Sequence, residues 1–214
     1  MSLSYIAGLI ASDGHLAKKD FKIKITTTNL HFANAVKRIM SDFGVKASIY
    51  KGAKYYEISV YDKKLWKVFV EDFKIPFGKK SYSLQKPPIE KLESKIDFLR
   101  GLFDGDSSIF ETTAILRRKN KIYKYFIPRI EFPSKSKPIV NWSADLLKNL
   151  GFRVYIQKHP KLHKMYLDGA KNMKKFSQIG FAHPDKQKKL EEIISLYKDN
   201  LYYRPCLVGC RINA

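Results

Sequence analysis

The sequence predicts an α+β protein made of two copies of one unit, on three observations. The stretch "YIAGLIASDG" (5–14) returns as "FLRGLFDGDSS" (98–108), with Gly8 and Gly101, Leu9 and Leu102, and Asp13 and Asp106 each 93 positions apart. Further on, "MSDFGVKASIY" (40–50) echoes "LKNLGFRVYIQ" (147–157), and "IPFGKKSYSL" (75–84) echoes "FAHPDKQKKL" (181–190). Gly44 and Gly151, and Lys79 and Lys186, are now 107 positions apart. Finally, helical and alternating patterns follow one another without the parallel strand–helix–strand signature.

Each unit reads in the same order. An apolar helix starts at Ser2 or Ser4 in the first copy; in the second it follows Ser94, with Asp97 three residues on in capping-box style. "FKIKITTT" (21–28) alternates strictly, with Phe21, Ile23 and Ile25 on one face and Lys22, Lys24 and Thr26 on the other. Phe32, Val36, Ile39, Met40 and Phe43 fall at helical spacing, so a helix is expected over about 30–43. Strands "KASIY" and "YYEISVY" and a helix "KKLWKVFVEDF" complete the unit. The second copy offers "IYKYFIPRIEF", a helix at about 137–149, then "RVYIQK", "KMYLD" and "KNMKKFSQI". The change of offset from 93 to 107 puts one 14-residue insertion between 107 and 136. The units are expected at 1–84 and 98–214, joined by a linker at 85–97 that holds Pro87 and Pro88.

Composition narrows the function. Lysine and arginine number 41 against 20 acids, a net charge of +21. Such an excess repels itself in a compact fold unless a polyanion neutralises it, which points to nucleic acid. A solvated basic surface, or a place on the ribosome, is the plainer alternative. No stretch approaches the length of a membrane span and no signal peptide is recognisable, so a cytoplasmic, intracellular protein without membrane contact is expected. Cys206 and Cys210 form one x3 pair with no histidines nearby, weak grounds for zinc.

The two motifs resemble those of the LAGLIDADG homing endonucleases. "IAGLIASDG" matches six of the nine signature positions and "LRGLFDGDS" matches five. The resemblance spans essentially the whole chain. It implies a monomeric, pseudo-twofold protein of two αββαββα units with saddle-shaped antiparallel sheets, of the archaeal intron-encoded type. Interior glycine costs a helix about 1 kcal/mol relative to alanine. Here Ala7, Gly8 and Ala11 in one helix, and Gly101 and Gly105 in the other, would let two backbones meet and bring Asp13 and Asp106 together. Two carboxylates at helix C-termini repel each other and the helix dipoles unless cations bind between them. Hard oxygen ligands select Mg²⁺, with the backbone carbonyls of Ser12 and Gly105 as further ligands; Ca²⁺ is expected to support binding without cleavage. The alternative for either motif alone is a helix followed by a turn. Asp104, opposite Ala11, reads as structural.

In this family a strand-borne lysine or glutamine assists the chemistry. Lys135 is the first candidate, with Thr28 at its matching position, and Lys80 and Lys186, each read as following the final strand of its unit, are further basic candidates. The sheets would read the DNA major groove. The polar set is Lys22, Lys24, Thr26, Thr28, Lys46, Ser48, Tyr50, Glu57, Ser59 and Tyr61 in the first unit. In the second it is Arg129, Glu131, Arg153, Tyr155 and Gln157, with Pro128 expected to cause a bulge or an edge. An ordinary solvated strand face is the alternative for each. The insertion would carry Arg117, Arg118, Lys119 and Lys121 at a hairpin tip over the DNA.

The resulting expectation is a site-specific, Mg²⁺-dependent double-strand DNA endonuclease acting as a monomer, encoded within an intron. The rivals are an RNA-binding intron maturase, with intron RNA as its partner, and a DNA-binding regulator of the same fold without catalysis. A complete intein is not expected, because an N-terminal cysteine and a closing His-Asn dipeptide are lacking.

Overall fold

The computed structural model describes residues 2–118, 121–160, 162–197 and 204–205. The first unit runs α1 (Leu3–Asp13), β1 (Gly14–Leu16), β2 (Lys22–Thr27), α2 (Leu30–Asp42), β3 (Ser48–Lys51), β4 (Tyr56–Tyr61) and α3 (Lys63–Lys67). The second repeats the order as α4 (Leu92–Asp106), β5 (Ser108–Arg118), β6 (Lys121–Ser134), α5 (Lys137–Asn149), β7 (Val154–His159), β8 (Leu162–Asp168) and α6 (Ala170–Phe176). Then come α7 (Pro184–Leu196), which the sequence reading did not anticipate, and a two-residue strand β9 (Arg204–Pro205). The class is α+β, in two αββαββα units.

Helix α1 is apolar all round, and residues Ser4–Ala11 are all buried. Such a helix belongs at the centre of a fold, and α4 is its partner. A Cβ on Gly8 would lie 2.0 Å from the Phe98 carbonyl oxygen, and one on Gly101 would lie 2.1 Å from that of Tyr5. The two backbones therefore touch, and no other residue type fits at the crossing.

Each unit folds one antiparallel sheet, in the orders β1-β2-β4-β3 and β5-β6-β8-β7, with β9 added against β6. The inner face of the first sheet presents Ile23, Ile25, Ile58 and Val60 to the core; that of the second presents Ile130, Phe132, Met165 and Leu167. The amphipathic helices α2 and α5 cover these faces with Phe32, Val36, Met40 and with Ile139, Val140, Leu147. Both helices end in left-handed glycines, Gly44 (φ 72) and Gly151 (φ 78). The chain then reverses, so that Val45 N–H reaches the Met40 carbonyl and Phe152 N–H that of Leu147, at 3.1 and 2.9 Å.

Three expectations need correction. Helix α4 begins at Leu92 rather than after Ser94, with Lys91 as its N-cap and no side-chain cap; Asp97 lies inside it, 3.9 Å from Arg100. "KKLWKVFVEDF" is not one helix: after Lys67 the chain widens into a π-helical turn over Val68–Asp72 and leaves through Lys74 at φ 55. Of the bulge or edge expected at Pro128, the structure has the edge, since β5–β6 pairing runs unbroken from Ser108↔Glu131 to Arg118↔Lys121. Pro128 stands one residue beyond the last β6–β8 pair, Arg129↔Asp168, at the edge where β8 ends; there its carbonyl accepts from Gly169 N–H at 2.8 Å and no ladder bond calls for the N–H it lacks. Lys186 does not simply follow a final strand; it lies in the first turn of α7.

The insertion is where the offset put it. Strand β1 has 3 residues and β2 has 6, whereas β5 has 11 and β6 has 14. Arg117, Arg118 and Lys121 stand at the far ends of β5 and β6. Lys119, Cys206 and Cys210 lie outside the described residues. Among the described residues no helix is long and apolar enough to cross a membrane.

Candidate active site and nucleic-acid interface

Asp13 and Asp106 are the last residues of α1 and α4. Docking the helices brings both carboxylates to one end of the crossing, where a Cβ on Gly105 would lie 1.9 Å from Ser12 Oγ. Burial, and then the charge of Asp13, push the Asp106 carboxyl up to about 6. Asp13 is open to water on its outer side, yet the protein displaces enough water elsewhere to raise its carboxyl above the ordinary carboxylate range. Lys80 and Lys186 pull both acids the other way.

The lysines do more than balance charge. Lys186 Nζ donates to the carbonyls of Phe103, Asp104 and Gly105 at 2.9, 2.6 and 3.1 Å. Lys80 Nζ donates to those of Ile10 and Gly14. Each ammonium thus caps the C-terminal end of one motif helix, where orphan carbonyls and the dipole favour a cation. Burial lowers the Lys80 ammonium to about 8 and lowers Lys186 as well. The counterpart of Lys186 is therefore Lys80, 106 positions away, and not Lys79, as the 107-residue echo had it.

Two clefts of about 300 Å³ flank the acid pair. One is lined by Ser12, Lys80, Asp106, Ser134 and Lys135; the other by Gly105, Lys186, Asp13, Thr27 and Thr28. Member by member these are pseudo-twofold mates, with Asp106 answering Asp13 and Lys135 answering Thr28. Lys135 is exposed, and its ammonium lies 5.3 Å from the centre of the Tyr82 ring. The second cleft also holds His183, which the sequence reading passed over: its ring packs 4.5 Å from that of Phe32, and its buried Nδ1 has no partner among the described residues. "FAHPDK" has phenylalanine and glycine, not histidine, in its echo "IPFGKK", so the repeat could not mark it.

Asp104 holds the assembly together. Its buried carboxylate accepts from Tyr5 Oη at 2.8 Å and from the amides of Ala182 and His183 at 3.0 and 3.1 Å, tying α1, α4 and the approach to α7. Burial raises its carboxyl, while these donors hold it down.

The donor set suits a hard divalent cation. Two carboxylates and nearby carbonyls are all oxygen, and among the described residues no group of three or more histidines, cysteines or acids competes as a site. A cation here would complete its shell with water or phosphate. The Gly105 carbonyl already accepts from Lys186, so it is a shared ligand at most.

The outer sheet faces carry the other candidates. Register puts Lys22, Lys24, Thr26, Ser48, Tyr50, Glu57, Ser59 and Tyr61 on one face of the first sheet. Lys46 lies just before β3, and Thr28 just after β2 in the cleft. Arg129, Glu131, Tyr155 and Gln157 share the outer face of the second sheet, and Arg153 precedes β7 with its guanidinium 5.2 Å from the Tyr155 ring. The acids here are already engaged: Glu57 pairs with Lys22 at 2.8 Å and Lys24 at 3.6 Å, and Glu131 with Lys164 at 2.8 Å. Lys164, Tyr166 and Asp168 on β8, and His15 opposite Lys24 on β1, were missed. Alternation in "KMYLD" could have supplied the first three.

Twin α+β units, docked through glycine-bearing helices that each end in an acid between two basic clefts, define a two-motif protein with one shared acidic centre. The chain belongs to the LAGLIDADG family: residues 1–74 and 93–180 match the family model of a LAGLIDADG-like domain. Its fold is similar to that in the crystal structure of I-DmoI in complex with DNA and Ca, with TM-score 0.62, 21% identity and coverage of 89% of this chain and 96% of that one. It is also similar to mesophilic variants of the homing endonuclease I-DmoI, with TM-score 0.59, 21% identity and coverage of 83% and 93%. Full-length DUF199/WhiA from Thermatoga maritima gives TM-score 0.58 at 18% identity, covering 91% of this chain and 58% of that one. A curated relative, the probable translation initiation factor IF-2 of Methanocaldococcus jannaschii, is 26% identical over 211 residues. The match takes in 90% of this chain but spans only 16% of that relative's length.

Proposed function

We propose that the chain is a site-specific double-strand DNA endonuclease that hydrolyses phosphodiesters with a divalent metal, Mg²⁺ by preference, acting as an intron-encoded monomer. Units 1–84 and 98–214, joined by 85–97, would each cover one half of the target. The observation that carries this reading is the pair Asp13 and Asp106, held at one point between two twofold-related clefts and two basic faces. Neighbours solved with DNA and Ca, and with DNA and Mn, support the choice of partner and of cofactor class.

Asp13 and Asp106, helped by the carbonyls of Ser12 and Gly105, would hold the metal. When bound, such a cation supplies an activated water and neutralises the leaving oxygen. Lys80 and Lys186 fix the helix ends, so the carboxylates keep their spacing when DNA arrives. Lys135 places an exposed cation in one cleft, opposite a threonine in the other, close to where a scissile phosphate would lie. The outer faces, with Arg117, Arg118, Lys119 and Lys121 on the long hairpin, would follow the backbone and the major groove.

Plasmid linearisation on a library of randomised inserts tests the reading, with gel shift on the recovered duplex. Wild type should linearise a defined subset in Mg²⁺. Asp13→Asn and Asp106→Asn should each bind that duplex and fail to cut it. Cleavage by Asp13→Asn at the wild-type rate would overturn the site. Binding without cutting by wild type in any divalent metal would return the chain to the DNA-binding regulator.

A further inference from the structure

Pseudo-twofold positions on the two outer faces are not chemically equivalent. Lys24 and Glu57 in the first sheet correspond, at the 107-residue offset, to Glu131 and Lys164 in the second. The ion pair is conserved in place and reversed in sign, 3.6 Å in one sheet and 2.8 Å in the other. One step along the strand the difference is sharper. Lys22 stands opposite Tyr61, whereas its mate Arg129 stands opposite Asp168.

Arg129 is built to a stricter geometry than Lys22. Its Nε and Nη2 donate to the two carboxylate oxygens of Asp168, both at 2.7 Å. Its guanidinium carbon lies 4.3 Å from the centre of the Tyr166 ring, and Tyr166 Oη in turn donates to Gln157 Oε1 at 2.6 Å. Two in-plane bonds and one stacked face fix the orientation of the guanidinium plane. Pairing on the Nε side leaves the Nη1–Nη2 edge, with its two parallel N–H bonds, unpartnered among the described residues. That edge matches the O6 and N7 acceptors that guanine alone presents side by side in the major groove. Lys22 instead carries a point charge, bonded to Glu57 at 2.8 Å, with no second parallel donor.

We infer that Arg129, held in plane by Asp168 and Tyr166, reads one guanine in the half-site under the second unit, and that the first unit has no equivalent reader. The inference rests on the DNA-binding reading above. Asp168 acts as a positioning residue: it touches no base, and it keeps the guanidinium from turning toward a phosphate.

The test is base preference, measured by selecting from a randomised duplex library in Ca²⁺ with wild type, Asp168→Asn and Arg129→Lys. Wild type should enrich a site with an invariant guanine in one half. Both variants should lose about tenfold in guanine preference at that position, the scale of one bidentate contact, with the other positions unchanged. A thermal melt identifies any variant that fails to fold, in which case the other decides. If both variants weaken binding to every sequence alike, Arg129 is a backbone contact and the inference falls while DNA binding stands. If wild type enriches no sequence at all, the inference falls together with the reading beneath it.

Discussion

Lys135 and Thr28 occupy matching positions, 107 residues apart, in the two clefts that flank the acid pair, and they give those clefts different chemistry. An ammonium beside a phosphate offsets negative charge that a neutral threonine hydroxyl leaves in place.

Lys135→Met should therefore slow one strand more than the other. On a supercoiled plasmid carrying the recovered target, the expected outcome is accumulation of nicked circles, with linear product reduced about tenfold or more. End-labelled duplexes identify the slowed strand. Equal slowing of both strands would assign Lys135 to general phosphate binding.

The acid pair carries a pH signature. The folded Asp106 carboxyl, at about 6, holds its proton more tightly than the ordinary value of 3.8. A carboxyl raised on folding favours the folded state at low pH, and that advantage is lost as pH climbs through the interval between those values. Without metal, thermal stability should thus fall from about pH 4 to about pH 6 through this group, and Asp106→Asn should flatten that part of the profile. Divalent metal should restore stability above pH 6, read by melting at stepped pH with and without Mg²⁺. An unchanged profile in Asp106→Asn would remove the carboxyl from the acidic centre.

Lys186→Met tests the helix caps. It takes the ammonium away from the carbonyls of Asp104 and Gly105 at a part-buried site, while that of Phe103 keeps its bonds from Ser107 N–H and Oγ, and the loss should be about 1–3 kcal/mol in denaturant unfolding. Lys186→Arg should recover only part, because a planar fork cannot converge on three carbonyls as an ammonium does.

The helix crossing admits a sharper test. Gly101→Ala drives a methyl group to 2.1 Å from the Tyr5 carbonyl oxygen and 2.6 Å from Leu9 N, so the helices must part. The loss should be about 3 kcal/mol or more, at the upper end of what overpacking costs. Gly44→Ala is the control: its added methyl meets nothing within 4 Å, and only the left-handed backbone at φ 72 is penalised, by about 1–2 kcal/mol. Equal losses at the two sites would mean that the helices do not pack by backbone contact.

Much of this architecture was legible because local patterns carry it. Strict alternation set β2, helical spacing set α2 and α5 to within a residue, and the 93-residue repeat of glycine and aspartate marked the crossing. Signals failed where the deciding contact is not local. Ser94 and Asp97 have the spacing of a capping box, but α4 begins at Leu92 with Lys91 as its N-cap, so both lie inside a helix whose Ile96 already packs against the core. The π-helical turn after α3 has no periodicity to announce it.

By itself the sequence determined the repeat, the insertion, the class and the two acids, since each is written as spacing or charge along one segment. The tertiary structure decided what those residues do to one another. Only the crossing of α1 and α4 puts the charge of Asp13 on Asp106. Only the approach of α7 turns Lys186 from a basic residue in a lysine-rich stretch into the cap of a helix more than 80 residues away. Asp168 becomes the partner of Arg129 only through β6–β8 register, which cross-strand pairing fixes and no single strand encodes.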